Sequence, residues 1–439
     1  MTSLIERAKQ TVDQAELYWN RIEKIDVRYA DYSMQAITQD DLSSVALRVI
    51  DNGRFGTTYG ITPNQEGLLD DATAAAAHGD PATFSFAPAA DYPSVDVFDS
   101  EAAALTSDDL VALCEQVKAK IHKERPDIAL FIQARRETIR RVIQTTAGAE
   151  AEDRATKVRI GFGAPIKGAG TRVIKSTASV SPLQLDEALI AEFIEWYGWT
   201  EKTSMPTTGR LPVILAPEAA FLLHLPLCAG LSADAIHRGT SPLRERLGER
   251  ILSDKLTVVD NGLLDGDIDS RAFDDEGIPC QRRTLVERGV LKGFLVDLRN
   301  GAALGEPSTG NARRKALFGE GTEIDPNPWP INLETQPGSV PYRDLIADLD
   351  EGLLLTDGMG FHSGNYPQGQ FSVQAVGFHI RGGKVVGRLD KTMVAGDIYK
   401  DLLNVRAVSR ERKGHYIEAM LAIGRAPYIL IDGLQVAGQ

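Results

Sequence analysis

Three cysteines in 439 residues, Cys114, Cys228 and Cys280, are too few for a disulfide framework and suit a reducing compartment. No run approaches the roughly 18–20 apolar residues that a membrane span needs. The opening MTSLIERAKQ has no apolar h-region, so no secretory signal is expected and the chain is expected in the cytoplasm. Basic charge is also scarce: Lys and Arg number 48 against 61 Asp and Glu, a formal net charge of −13. Such a surface repels polyanions and argues against a direct nucleic-acid role unless a local basic face exists. The best stretch for such a face, Arg135, Arg136, Arg140 and Arg141, lies in a strand-like region and reads as a solvated edge.

Several site signatures are missing as well. Gly161, Gly163, Gly168 and Gly170 join two strand-like segments, so they read as a hairpin loop; the dinucleotide fingerprint needs a strand, the glycines and then a helix. No Gly-x-Ser-x-Gly elbow is present, and His362 and His379 lie in strand-loop segments that assemble no triad by sequence. Counting Asp265 as position 1 of a calcium loop puts Glu276 at position 12, but position 6 is Ser270 where an EF-hand needs glycine. A strand and turn precede it, not a helix, so the stretch reads as a solvated loop.

What is present is ordinary for a soluble globular protein, with 43% hydrophobic and 25% charged residues, and long enough for two domains. Leu4, Ala8, Val12, Ala15 and Trp19 are spaced as one helix face over residues 4–22. Strands follow at 25–29 and 45–50, then Asp51-Asn52-Gly53 as a tight hairpin, a returning strand over 55–61, and a helix opened by Pro63. Residues 79–101 read as a long connection. The order then recurs: a capping box at Thr106 and Asp109, a helix through Leu110, Cys114, Val117 and Ile121, and strands at 128–133, 138–144, 157–162 and 172–178. Ser181-Pro182 opens a last helix through Leu189 and Phe193. The fold class is therefore α+β: repeated helix–antiparallel strands–helix units over residues 1–205, and a β-rich domain with a strand-fed central helix over 206–439. Residues 201–210 read as the linker.

The central stretch LPVILAPEAAFLLHLPLCAGLSADAIHRG, 211–239, opens as an apolar strand, turns at Ala216-Pro217-Glu218 and continues as a helix. A zinc peptidase helix would carry a glutamate beside His224 and a second histidine four or five residues on. Leu225, Cys228 and Ala229 stand there instead. His224 and Cys228 share a helix face and could be half of a metal site, with His237 or Cys280 as a third ligand. The apolar bulk around them favours a hydrogen-bonded core histidine and a buried cysteine. Pro226 is expected to disturb this helix, at a cost of about 3 kcal/mol.

In order and spacing, the central stretch and the downstream segments DDEGIP (274–279), RTLVERGVLKGFLVD (283–297), STGNARR (308–314), NLETQPGS (332–339), 352–387 and LIDGLQVAG (430–438) resemble the TldD/PmbA family. The resemblance implies the fold just described. It also implies a division of labour. TldD members carry His-Glu-x-x-x-His on this helix and a cysteine near the C-terminus, which together make a zinc site. Here the motif falls on residues 224–229, with Leu225 in place of the general base and Ala229 in place of the second histidine. No cysteine follows Cys280. The pattern is similar to the TldE (PmbA) side: a subunit with no cofactor of its own, whose TldD-type partner holds the zinc, in a cytoplasmic heterodimer acting on unfolded or precursor peptides. The alternatives are an independent homodimeric peptidase and a protein-binding regulator. Residues 308–311 and 364–367 are turn-formers that could equally shape a peptide cleft.

Overall fold

The computed structural model describes residues 4–30, 33–317, 319–361, 364–414 and 424–438; His362 lies outside them. The first half is one antiparallel sheet of six strands in the order β3-β2-β1-β4-β5-β6. The strands are β1 Gln14–Ala30, β2 Ser33–Asp51, β3 Arg54–Gly60, β4 Phe131–Thr145, β5 Glu150–Pro165 and β6 Arg172–Ser179. Two three-stranded meanders meet at the β1–β4 pair, and each has helices before and after it. The expected repeat is thus a single sheet made of two similar halves. The first half has α1 Leu4–Ala8 and α2 Leu68–Ala77; α3 Ser100–Ala104 and α4 Ser107–Glu124 precede the second, and α5 Glu187–Trp199 follows it.

Local chemistry sets the element ends. Asn52 and Gly53 both adopt positive φ, 49° and 71°, as a two-residue hairpin requires. Thr106 and Asp109 form the capping box of α4. Other ends differ from the sequence reading. The helix expected over 4–22 stops at Ala8, because from Ala15 the period changes to two. Ala15 and Leu17 pack with α1 and α2, while Glu16 and Tyr18 turn to the opposite face, buried against other partners. Pairing with β2 and β4 along both edges then fixes the segment as strand. Helix α2 starts at Leu68 after a left-handed Gly67, not at Pro63, and α5 starts after the Asp186 cap, not at Ser181-Pro182. The strands expected at 128–133 and 138–144 are one strand, β4, which starts at Phe131. β4 is interior, so its arginines do not form an edge, and they are matched within the sheet. Arg135 meets Asp26 at 2.6 Å, Arg140 meets Glu152 at 2.7 Å, Arg141 meets Asp153 at 2.8 Å, and Arg136 donates to the Leu105 carbonyl. The glycines at 168 and 170 turn the β5–β6 hairpin with positive φ, as read, whereas Gly161 and Gly163 lie inside β5, paired with Ser176 and Ile174.

The second half is dominated by strands. Its main sheet runs, by neighbour, Val290–Leu291, Arg282–Glu287, Val258–Asn261, Leu333–Thr335, Arg425–Gly438, Gly209–Leu215, Glu351–Met359, Gln370–Arg381, Lys384–Leu389 and Thr203–Ser204. The supposed linker therefore contributes the terminal strand Thr203–Ser204. The strand Thr392–Asp397 pairs with both Gln370–Arg381 and Arg425–Gly438. Those pairings close a ring that also passes through Gly209–Leu215 and Glu351–Met359. No described helix is long and apolar enough to cross a membrane.

Helices cover one face of the first sheet: α1 and α2 over Val45, Leu47 and Val49, and α4 and α5 over Val27, Ile132, Val158 and Ile160. The opposite face meets the segment 262–278, with Ile268 against Ile139 and Phe273 against Tyr18 and Ile143. Through this seam runs a buried ion pair. Arg48, 3% exposed, grips Glu16 with Nε at 2.8 Å and Nη2 at 2.5 Å, and also reaches Glu276 at 3.0 Å. Removing one partner of a buried pair strands the others without a counter-charge. Arg48→Met is accordingly expected to cost about 3–5 kcal/mol in chemical denaturation, whereas Arg21→Met, at the exposed Arg21–Asp41 pair, leaves the midpoint essentially in place.

Candidate functional site

The helix read as the metal helix, α6 Phe221–Leu231, is positioned from both ends. The strand Gly209–Leu215 enters antiparallel to Arg425–Gly438 and parallel to Glu351–Met359, with Val213 opposite Leu353 and Leu215 opposite Leu355. A single 3₁₀ turn over Pro217–Ala219 then redirects the chain, held by Ala216 N–H donating to the Leu355 carbonyl at 2.9 Å. Glu218 in that turn is tied to the first sheet. Lys175 of β6, 1% exposed, donates to Glu218 at 2.7 Å, lies 2.9 Å from Glu192 of α5, and sits over the Trp196 ring. Burial works to raise the Glu192 carboxyl, but Lys175 and Lys413 outweigh it and hold it at about 2. The start of α6 is therefore anchored by charge as well as by backbone.

α6 is apolar all round, as a helix enclosed by protein should be. Phe221, Leu222, Leu223, Leu225 and Leu227 are buried in one core with Val213, Leu215, Phe371, Val373 and Ile429. The helix continues through Pro226 to Leu231, contrary to the expected disturbance. The Pro226 carbonyl accepts from the Tyr399 hydroxyl at 3.4 Å, and the residues on either side of the proline are buried in the core.

His224 is fully buried, and its Nε2 lies 2.8 Å from the Thr335 hydroxyl on the neighbouring strand. Leu225, at the base position, is buried, and Ala229, at the second-histidine position, is half-buried. Cys228 is buried too, its thiol pushed up by burial and then by the nearby Asp260 carboxylate, so it is not a ready thiolate. Cys280 is likewise pushed up by burial, and its Sγ faces the Gly310 carbonyl at 3.8 Å. His237 sits exposed at the end of the short helix Ala233–His237. Among the described residues no three of His, Cys, Asp and Glu come together in a way that could hold a metal ion.

The other sequence candidates resolve into local structure. Asp267 meets Arg425 at 2.6 Å, Asp269 meets Lys157 at 3.4 Å, and Glu276 turns inward to Arg48, so the acidic loop is spent on ion pairs. Asn311 donates to Asp260 at 2.6 Å, Thr309 bonds Asn311 and Val296, and the bridge between Asn365 and Gln370 closes its turn. One cluster had no signal in the sequence: His379, fully buried, stands with Nδ1 2.8 Å from the Ser204 hydroxyl and Nε2 3.2 Å from Glu351. These three residues come from distant segments, and no local spacing links them. The order serine–histidine–acid looks catalytic, but the imidazole is enclosed, and Glu351 also accepts from the N–H and hydroxyl of Thr207. Burial lowers the histidine's proton affinity, so the ring is neutral and pins residues 203–208 onto the strands.

A helix-covered antiparallel sheet followed by a β-rich half built round a strand-fed, enclosed helix defines the class: a two-part α+β scaffold. The family model described as PmbA/TldA metallopeptidase C-terminal domain matches residues 208–438, and the one described as domain 1 matches 15–78; the chain belongs to this PmbA/TldD family. TldE from Thermococcus kodakarensis superposes with a TM-score of 0.90 over 99% of each chain at 22% identity, a likeness of fold. A metalloprotease of Methanothermobacter thermautotrophicus is 30% identical over 48% of this chain and 45% of its own. A metalloprotease PmbA homolog of Haemophilus influenzae is 28% identical over 53% and 47%. The chain thus spans about half the length of the curated relatives it matches.

The environment of His224 yields a direct expectation. His224→Ala strands the buried Thr335 hydroxyl and should lower stability by about 1–3 kcal/mol in denaturant unfolding, whereas His237→Ala, at an exposed position, should leave it unchanged.

Proposed function

We propose that this chain is a TldE/PmbA-type subunit without catalytic metal, which completes the peptide cleft of a heterodimer whose TldD-type partner supplies the zinc. One observation carries the reading. The helix that would bear the metal is built and enclosed, yet Leu225 and Ala229 occupy the base and second-ligand positions, and the His224 ring is engaged by Thr335. A catalytic zinc site takes three protein ligands and an open position for water. The residues present here do not fit that ion: the pair His224 and Cys228 offers two donors in an apolar core, and the cysteine's burial keeps its proton on. Family membership and the fold shared with TldE support the same assignment.

In this role the chain binds unfolded or precursor peptides as an added strand, in the cytoplasm, and leaves hydrolysis to its partner. The test is reconstitution. The purified chain should cleave no unfolded peptide with or without added zinc. Mixing with a TldD-type chain should give activity that depends on both subunits and is abolished by chelation. Zinc-dependent hydrolysis by the isolated chain, lost in His224→Ala, would instead establish an independent peptidase.

A further inference from the structure

A buried cluster within the seam between the first sheet and the second half holds more acid than base. Into it point Glu16 from β1, Arg48 from β2, the pair Arg141 and Asp153 from β4 and β5, and Arg271, Asp274, Asp275 and Glu276 from one loop. Asp297 comes from the start of the helix Leu298–Leu304, Arg313 and Arg314 from the segment after Asn311, and the hydroxyl of Tyr18 from β1. These carboxyls outnumber the guanidiniums by one, and Arg313 is drawn off further by Glu320 at 2.6 Å. Arginine does not give up its proton in proteins. A fully ionised set would therefore leave a negative charge without a partner inside the protein, which is strongly unfavourable.

The pairing shows where the imbalance falls. Glu16 is held by Arg48 and Arg314, and Asp275 by Arg271 at 2.6 Å and Arg313 at 3.5 Å. Asp274 accepts backbone N–H bonds from Glu276, Ile278 and Ala312, each at 2.9 Å, but burial outweighs them and pushes its carboxyl up to about 7, and its charge also raises Glu276. Glu276 has only the far end of Arg48 and the Leu298 N–H at 2.8 Å. Asp297 has no ion-pair partner among the described residues; its Oδ1 accepts the N–H of Asn300 at 3.0 Å and the Asn300 amide at 2.8 Å.

We propose that Glu276 and Asp297 share one proton, which makes this seam a pH-sensitive joint between the first sheet and the second half, closed while the proton is held and loosened when it leaves. Burial raises the Glu276 carboxyl above its ordinary range, Arg48 opposes it, and the Asp297 charge raises it further; burial likewise raises Asp297. The sign follows from linkage. A carboxyl raised in the folded state binds its proton more tightly there than in the unfolded chain, so its contribution is full in acid and is lost as pH rises through the raised value.

Thermal unfolding of the full chain from about pH 6 to about pH 9 tests the joint. The wild-type midpoint should fall across that range. Asp297→Asn keeps a good helix cap and presents a permanent N–H to Glu276, so its midpoint should fall less steeply than the wild type's, with Asp274 still titrating, and exceed it at the alkaline end. Parallel wild-type and variant curves overturn the proposal. Infrared difference spectra of the wild type supply a reading that needs no variant: a protonated carboxyl C=O stretch at about pH 6 that disappears by about pH 9. Absence of that band at the acid end overturns the proposal, as does a band that persists unchanged in Asp297→Asn.

Discussion

The end of the strand Gly209–Leu215, from Val213 to Leu215, is buried on both faces, and the rest of the second half is arranged around that constraint. Val213 and Leu215 face the core that encloses α6, while Ile214 faces the core of α4 and α5 with Trp196, Leu354 and Tyr428. A strand covered on both sides cannot alternate apolar and polar residues, which is why LPVIL reads as a continuous apolar run. It also cannot slip: a one-residue shift would exchange the two faces and empty both cores. With that register set, the turn at Ala216 and the start of α6 have a single position. His224 is delivered to Thr335 as a consequence of the strand, independently of any ion.

Where sequence was informative, the determinants were local. Asn52-Gly53 specifies its hairpin within two residues, Thr106 and Asp109 satisfy each other's backbone within one turn, and the strand–turn–helix around Pro217 is contiguous. Where sequence misled, a partner far along the chain decided. Leu4, Ala8, Val12, Ala15 and Trp19 fit a helical spacing, yet two neighbouring strands outweighed it. The arginines of β4 suggested an edge because nothing local says that β1 and β5 flank them. The Arg48–Glu276 bond joins residues 228 apart, and the Ser204–His379–Glu351 group joins three segments, so neither leaves a periodic trace.

The departure from the zinc motif was more legible than the architecture, since it depends on residue identity at a few positions. A glutamate cannot be supplied by packing if Leu225 occupies its place. Structure adds the reason the substitutions are tolerated. Leucine at 225 and alanine at 229 extend an apolar core in which an ionised base or an unligated imidazole would carry a desolvation cost. The same helix could not hold both arrangements equally well, so leucine at 225, alanine at 229 and the closed core around α6 belong together.

That linkage accounts for α6 by packing alone. In a catalytic helix, the ligands set the side-chain choices and the core adapts to them. Here the helix closes the apolar interior of the strand ring, receives the Tyr399 hydroxyl on Pro226 and tethers a neighbouring strand through His224 and Thr335. Each of those contacts would remain worthwhile for stability if no substrate ever met this chain. Retention of the helix is therefore a statement about folding. On the proposed reading, a contribution to peptide processing comes from surfaces that the helix supports, with the base and the ion on a second chain.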